Sequence, residues 1–206
     1  MTDNSIIVEV SARHIHLTQK DWDVLFGAGY KARLKRELSQ SGEFACEDRV
    51  DIVGPRNTIK NVVVLFPPRK TTQVEISATD AKTLGIAPVL CDSGYSEGSP
   101  GCTLVGPNGE LELKSGVMIA RRHIHMTPAD AEKFKVKDRD YISVQISQTQ
   151  RPLIFHDVLV RISENFKLRM HIDTDEANAA LINSCNCTGE IVPFDKECAR
   201  PECSVS

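Results

Sequence analysis

Four of the six histidines lie in two copies of one triplet, His-Ile-His, at 14–16 and 123–125. On a β-strand, residues i and i+2 point to the same face, so both imidazoles of a triplet can reach one ion. Imidazole is the commonest metal ligand in proteins and suits zinc. A single triplet could be no more than a polar strand face, but two identical copies favour metal binding.

The triplets belong to a longer internal repeat, which nominates a third ligand for each. Residues 12–18 (ARHIHLT) recur as 121–127 (RRHIHMT), 109 residues later. Farther along each half, similar residues recur with an offset of 96 residues. This offset places Glu75 and His171 at equivalent positions, each directly before an isoleucine. Three protein ligands leave a coordination position open, which is typical of catalytic metal sites. The predicted sites are His14, His16 and Glu75 in the first half, and His123, His125 and His171 in the second.

An arginine precedes the predicted ligand Glu75. Pro67-Pro68 restricts the backbone directly before Arg69. The guanidinium group of an arginine can bind phosphate through bidentate hydrogen bonds. Such a segment on its own indicates an exposed basic loop, but beside a metal site it predicts an anion clamp. Arg13 and Arg122 each adjoin a histidine triplet and face the opposite side of the strand, so we expect them to form structural salt bridges.

The elements that position these residues are short. Brief β-rich segments separated by Gly, Pro and Asn turns predict a barrel or a sandwich. Four short helices are expected, at 18–26, 79–84, 127–134 and 174–182, and threonine is the predicted N-cap at Thr18 and Thr127. Because the order of elements is the same in both halves, the sequence predicts two similar barrels, with an insertion around residues 30–42 of the first.

Composition excludes several classes of protein. The 206 residues carry a net charge of −3 without long runs of like charge, which argues against nucleic-acid binding. No apolar stretch approaches 18 residues, so no membrane partner is expected. The odd number of cysteines, seven, favours reduced thiols in the cytoplasm. A zinc site in the cysteine-containing tail is disfavoured by its ligand spacing; these cysteines are Cys185, Cys187, Cys198 and Cys203.

Several segments together resemble the PduL-type phosphate acyltransferases, also called phosphate propanoyltransferases. The resemblance covers roughly residues 6–192, nearly the whole chain and in the same order. The segments that carry it are SARHIHL (Ser11–Leu17), LFPPRKTTQVEISATDA (Leu65–Ala81), GSPGCTLVGP (Gly98–Pro107), ARRHIHM (Ala120–Met126) and HIDTDEANA (His171–Ala179).

The resemblance implies a mainly β fold of two closely packed barrels, capped by short α-helices. The domains would be residues 13–120 and residues 1–12 plus 121–194, followed by a tail at 195–206. It also implies two Zn²⁺ ions per chain, a homodimer, and reversible transfer of a short acyl group between coenzyme A (CoA) and phosphate. Arg69 matches the catalytic arginine of the family. The positions that match its CoA pocket are Ser11, Leu65, His171 and Asn178.

Two departures from the family pattern affect the expected function. Val63 stands where members often have a basic residue, which puts one CoA contact in doubt. The chain starts thirteen residues before His14, without the N-terminal amphipathic helix of members that enter microcompartments, so we expect a cytosolic enzyme. The rival hypotheses are a dinuclear zinc hydrolase acting on a thioester or phosphoester, and a non-catalytic metal or CoA sensor.

Overall fold

The computed structural model describes residues 4–94, 97–182 and 187–193. The helices of this described part are α1 (Gln19–Phe26), α2 (Ala78–Leu84), α3 (Pro128–Phe134) and α4 (Thr174–Ala179). The strands are β1 (Ile6–Val10), β2 (His14–His16), β3 (Leu34–Glu37), β4 (Phe44–Val53), β5 (Thr58–Phe66), β6 (Gln73–Glu75), β7 (Leu90–Cys91), β8 (Cys102–Val105), β9 (Glu110–Leu113), β10 (Val117–Ala120), β11 (His123–Met126), β12 (Tyr141–Ile146), β13 (Leu153–Ile162), β14 (Arg169–Ile172) and β15 (Thr188–Val192). None of these helices is long and apolar enough to cross a membrane.

The strands of the second half close into a barrel together with the first strand of the chain. Their order is β1-β14-β11-β13-β12-β15. β1 completes the ring, because it lies parallel to β14 and antiparallel to β15. Closure leaves no free strand edge and sets alternate residues toward the interior.

The first half forms a curled nine-stranded sheet. Its order is β7-β10-β6-β2-β5-β4-β8-β9, with β3 paired to β4 off this path. The curl brings β10 to the segment before β8, where the backbone N–H of Val117 donates to the carbonyl of Pro100 at 3.0 Å. The predicted fold class, mainly β and rich in barrel structure with short helices, is confirmed. Among the described strands the second half forms the closed barrel and the first half a half-barrel.

Equivalent strands of the two halves pair in the same way. β2 lies parallel to β5 and antiparallel to β6, and β11 lies parallel to β13 and antiparallel to β14. The internal repeat is therefore structural. The predicted insertion is also present: residues 27–43 separate α1 from β4 and contain β3, whereas only residues 135–140 separate α3 from β12.

Each half has its own hydrophobic core. Residues that alternate with the predicted site residues fill these cores: Ile15, Val64 and Val74 in the first half, and Ile124, Val160 and Met170 in the second. Because successive residues of a strand point to opposite faces, the histidine triplets lie on the face turned away from each core. The domain limits at residues 12/13 and 120/121 stay a prediction.

The helices begin at capping side chains and are tied to the strands that bear the triplets. Thr18 and Thr127 are N-caps as predicted, and α2, α3 and α4 carry capping boxes. Arg13 lies 2.8 Å from Asp80 in the α2 box, and Arg122 lies 2.8 Å from Glu176 in the equivalent α4 box. The structural salt bridges predicted for the two arginines are confirmed.

Candidate functional site

The first triplet and Glu75 converge within the span of one metal ion. His14 Nε2 lies 3.2 Å from His16 Nε2 and 3.4 Å from Glu75 Oε2. His16 Nε2 lies 3.9 Å from Glu75 Oε1. In a tetrahedral zinc site with bonds of ~2.0–2.1 Å, ligand atoms are about 3.3–3.4 Å apart. The three side chains therefore fit such an ion with little movement.

Neighbouring groups fix the orientation of these ligands. The Nδ1–H of His14 donates to the carbonyl of Ala12 at 2.9 Å, which leaves Nε2 as the free nitrogen. The hydroxyl of Ser93 donates to Glu75 Oε1 at 2.8 Å. Burial lowers the pKa of His16 well below its ordinary value, and the charges of His14 and Arg69 lower it further. His16 is therefore neutral at physiological pH and needs no proton loss before it binds a metal.

The second triplet and His171 form an equivalent group. The ring centroids of His123, His125 and His171 lie 4.8–5.1 Å apart. The Nδ1–H of His123 donates to the carbonyl of Arg121 at 2.9 Å, as His14 does in the first half. Within the described part of the chain, Nδ1 of His125 and Nε2 of His171 are buried without a hydrogen-bond partner. Such a group costs ~1–3 kcal/mol, which coordination of a metal would offset.

The second group is neutral as well. Burial lowers the pKa of His125 to about 2 and that of His171 to about 3, and the charge of His123 adds to both effects. Burial also lowers the pKa of His123. Among the residues that the structure describes, these two sets are the groups of at least three ligand-type side chains with ligand atoms within 4.8 Å of one another.

The two groups lie close enough to act on each other electrostatically. After burial and His123, the next contribution to the lowered pKa of His171 is the charge of His14, from the other half. The charge of Glu75, also in the first half, raises the pKa of His123. The two ligand groups therefore lie near one another, and we call the space around them the shared region.

Arg69 lies at this shared region, on the connection between β5 and β6. Its backbone N–H donates to the carbonyl of Leu17 at 2.8 Å, and its Nη2 donates to Glu43 Oε1 at 2.7 Å. Its charge acts on the pKa of both His16 and His125, one from each triplet. One terminal nitrogen is thus held by Glu43, and the guanidinium group is half-buried.

The positions expected to line a CoA pocket are His171 itself and three residues outside the ligand groups. Leu65 pairs with His16 across β2 and β5. The backbone N–H of Ser11 donates to the carbonyl of Ile172, directly after His171, at 2.8 Å. Asn178 lies on the exposed side of α4. Leu65 and Ser11 are thus adjacent to residues of the ligand groups or of their strands, and Asn178 is exposed on α4.

Sequence reasoning missed two polar residues on the same faces. Gln73 pairs with His16 across β2 and β6, and Arg161 pairs with His125 across β11 and β13. Paired residues of neighbouring strands point to the same side of a sheet. The internal repeat could have pointed to Arg161, because it stands 96 residues after Leu65, a position expected to line the CoA pocket.

Comparisons with known proteins agree with the resemblance. The sequence profile of the phosphate propanoyltransferase family matches residues 7–183. A phosphate propanoyltransferase of Thermotoga maritima is 53% identical over 187 residues, which cover 91% of this chain and 87% of that relative. Another from Clostridioides difficile is 52% identical over 174 residues (84% and 83%), and one from Salmonella typhimurium is 51% identical over 180 residues (87% and 85%). The chain is thus an acyltransferase and belongs to the phosphate propanoyltransferase family.

Proposed function

We propose that the chain is a zinc-dependent phosphate acyltransferase that moves a short acyl group reversibly between CoA and inorganic phosphate. Family membership supports the phosphate acyltransferase activity. The observation that carries the finer proposal is the pair of three-ligand groups, with the charge of Arg69 near a histidine of each. The neutral histidines can bind a metal cation, and Arg69 can bind an anion. Such a combination suits a reaction between a thioester and phosphate.

The two ligand sets would each hold one zinc ion. Bound zinc supplies Lewis acidity that polarises the thioester carbonyl and stabilises a leaving thiolate. The protein's own part is to keep the imidazoles neutral and oriented, through burial and through the carbonyls that accept from His14 and His123.

Arg69 would bind the phosphate. A phosphate oxygen forms a bond to the thioester carbonyl carbon, the carbon–sulfur bond breaks, and the sulfur leaves with its electron pair to become the CoA thiol on protonation. Arg69 orients the attacking oxygen and offsets the negative charge that gathers as the anions meet. Glu43 holds one terminal nitrogen of Arg69, which fixes the direction of the guanidinium plane.

Direct transfer, without an acyl-enzyme, fits the state of the described cysteines. Burial raises the pKa of Cys46 to about 11 and that of Cys102 to about 12, so these thiols stay protonated at neutral pH. Burial also raises the pKa of Cys91 and Cys187. Ping-pong kinetics or a trapped acylated side chain would contradict direct transfer.

The CoA thiol end would lie against Leu65, Ser11 and His171, with Asn178 contacting a more distal part of CoA. The proximity of the first three to the ligand groups and the exposure of Asn178 support this order. It would place the thioester on the buried face and the rest of the cofactor toward solvent.

The decisive experiment measures CoA release from acetyl-, propionyl- and butyryl-CoA with and without inorganic phosphate. A phosphate acyltransferase releases CoA only with phosphate and forms acyl phosphate in equal amount. Equal release in both conditions would instead identify a hydrolase. Binding of CoA without turnover in either condition would identify a sensor.

A further inference from the structure

Arg161 stands on the face that carries the second ligand group. It lies on β13 and pairs in register with His125 on β11. Its neighbour Val160 is fully buried in the core of the second half. Because successive strand residues alternate in direction, Arg161 points the other way, to the side of the histidines. The residue is half-buried there.

The repeat indicates that the fold does not require a cation at this place. β5 occupies in the first half the position that β13 occupies in the second, and Leu65 pairs with His16 as Arg161 pairs with His125. Leu65 is buried and apolar. An uncharged side chain therefore satisfies the same strand environment, so the charge of Arg161 calls for a separate explanation.

Among the described residues, no group pairs with the charge of Arg161. In the parts of the chain that the structure describes, its guanidinium group has neither an ion pair nor a hydrogen bond. Asp92 and Glu75, the carboxylates that favour its charged form, already have partners. Asp92 accepts from Arg121 at 2.9 Å and from Arg139 at 2.6 Å, and Glu75 belongs to the first ligand group.

The surroundings of Arg161 oppose its charge. Burial, and after it the charge of Arg69, lowers the pKa of Arg161 from its ordinary value, although an arginine remains protonated at neutral pH. Two half-buried cations near one another are unfavourable unless an anion lies between them. The charge of Arg161 also lowers the pKa of all three histidines of the second group. An anion held by Arg161 would therefore lie near that ligand group.

We propose that Arg161 is a second anion-binding residue, which holds the phosphoryl group of phosphate or acyl phosphate from the half opposite Arg69. The inference rests on the proposed phosphate acyltransferase function and extends it. An arginine from each half would bind the phosphate between the two halves, so that phosphate binding depends on both halves. The other anions available are the phosphates of CoA, and the experiment separates these two sources.

The test compares Arg161→Leu and Arg161→Lys with a matched control, Arg151→Leu. Leucine is the residue at the equivalent place of the first half, and Arg151 is an exposed arginine at the other end of the same hairpin. In the zinc-loaded protein we expect Arg161→Leu to raise the KM for phosphate about tenfold to hundredfold. Arg161→Lys should raise it less, because it keeps the charge. The KM for acyl-CoA and the zinc content should not change in either variant, and Arg151→Leu should match the unmodified protein.

Calorimetric titration of the protein with inorganic phosphate alone tests the inference independently of turnover. Weaker phosphate binding in Arg161→Leu and Arg161→Lys, with unchanged binding in Arg151→Leu, supports it even if the unmodified protein proves to be a hydrolase. Unchanged phosphate affinity in a folded Arg161→Lys overturns it. A higher KM for acyl-CoA with an unchanged KM for phosphate also overturns it and assigns Arg161 to the phosphates of CoA.

Discussion

At the scale of single residues, the site combines neutral metal ligands with a few fixed charges. Burial keeps His16, His125 and His171 uncharged at physiological pH. The positive charge of the shared region therefore comes from arginine, which keeps its proton, and does not depend on imidazole titration. Such a face attracts an anionic substrate and leaves the histidine lone pairs free for coordination.

Arg69→Lys tests whether the shape of the guanidinium group matters as well as its charge. Lysine keeps the charge but loses the planar two-pronged contact. A charge-assisted hydrogen bond is worth ~1.5–3 kcal/mol, so kcat/KM for phosphate should fall roughly tenfold to over a hundredfold. Zinc content and CoA binding should stay unchanged. Full activity would mean that Arg69 is only a loop charge, and loss of zinc would mean that it supports the position of Glu75.

Gln73→Leu tests a buried amide without a hydrogen-bond partner among the described residues. Gln73 is fully buried beside His16, and within the described chain both polar atoms of its carboxamide lack a hydrogen bond. An unsatisfied buried polar group costs ~1–3 kcal/mol, so leucine should raise the free energy of unfolding by about 1 kcal/mol. If the amide contacts substrate, kcat/KM should fall in the same variant. Urea unfolding and steady-state kinetics measure the two effects.

The matched control for Gln73 is Gln145→Leu, at an exposed strand position. Its amide is hydrated in the folded protein, so the substitution should bring neither a gain in stability nor a loss of activity. Unchanged kcat/KM in Gln73→Leu would show that the amide has no part in the reaction.

At the scale of elements, the sequence predicted what depends on local chemistry and on the repeat. Threonine caps located two helices, and the repeat paired Glu75 with His171 at equivalent register positions. Strand β3 (LKRE) could not be predicted from its own residues, because three of the four are charged and pairing with β4 makes it a strand. The repeat places Arg161 at the position of Leu65, but the sequence does not show that its charge lacks a counter-ion among the described residues.

Asp80→Ala tests the link between a helix cap and a ligand strand. Asp80 is buried, completes the capping box of α2 with Ser77, and binds Arg13 beside the first triplet. Removing it deletes both contacts, so we expect the free energy of unfolding to fall by about 1–3 kcal/mol. The exposure of Arg13 limits the share that comes from the ion pair.

Asp80→Asn separates the two contacts of Asp80. Asparagine keeps a side-chain oxygen that can accept from the backbone of Ser77 but loses the charge, so its cost should be the smaller. Urea unfolding measures both variants. An equal loss in both would assign the whole effect to the ion pair, and no loss in either would show that the cap contributes nothing to stability.

At the scale of the whole molecule, polar contacts join the two halves. Gln40 exchanges two hydrogen bonds with the backbone of Lys167, at 3.0 and 3.1 Å. The backbone N–H of Thr79 on α2 donates to Asp175 on α4 at 2.8 Å. These contacts link the two halves, whereas each ligand set is built on strands of its own half.

The tail stays a prediction, because residues 195–206 lie outside the described residues, as does Cys185. Cys187, the described member of the cysteine cluster, is buried and forms no disulfide. A buried thiol of raised pKa is a poor metal ligand, which agrees with two ligand sets made of histidine and glutamate.

The arrangement of the ligand sets makes the last prediction one of stoichiometry. Each half completes its own set: His14 and His16 with Glu75, and His123 and His125 with His171. Purified protein should therefore contain two zinc ions per chain. His14→Ala should lose the first ion and His123→Ala the second, because a two-ligand remnant holds zinc poorly. Each variant should keep about one equivalent by elemental analysis and lose most of its activity. If one substitution emptied both sites, the ions would share ligands across the halves. If the unmodified protein were fully active with one equivalent or none, only one group or neither would be a catalytic metal site.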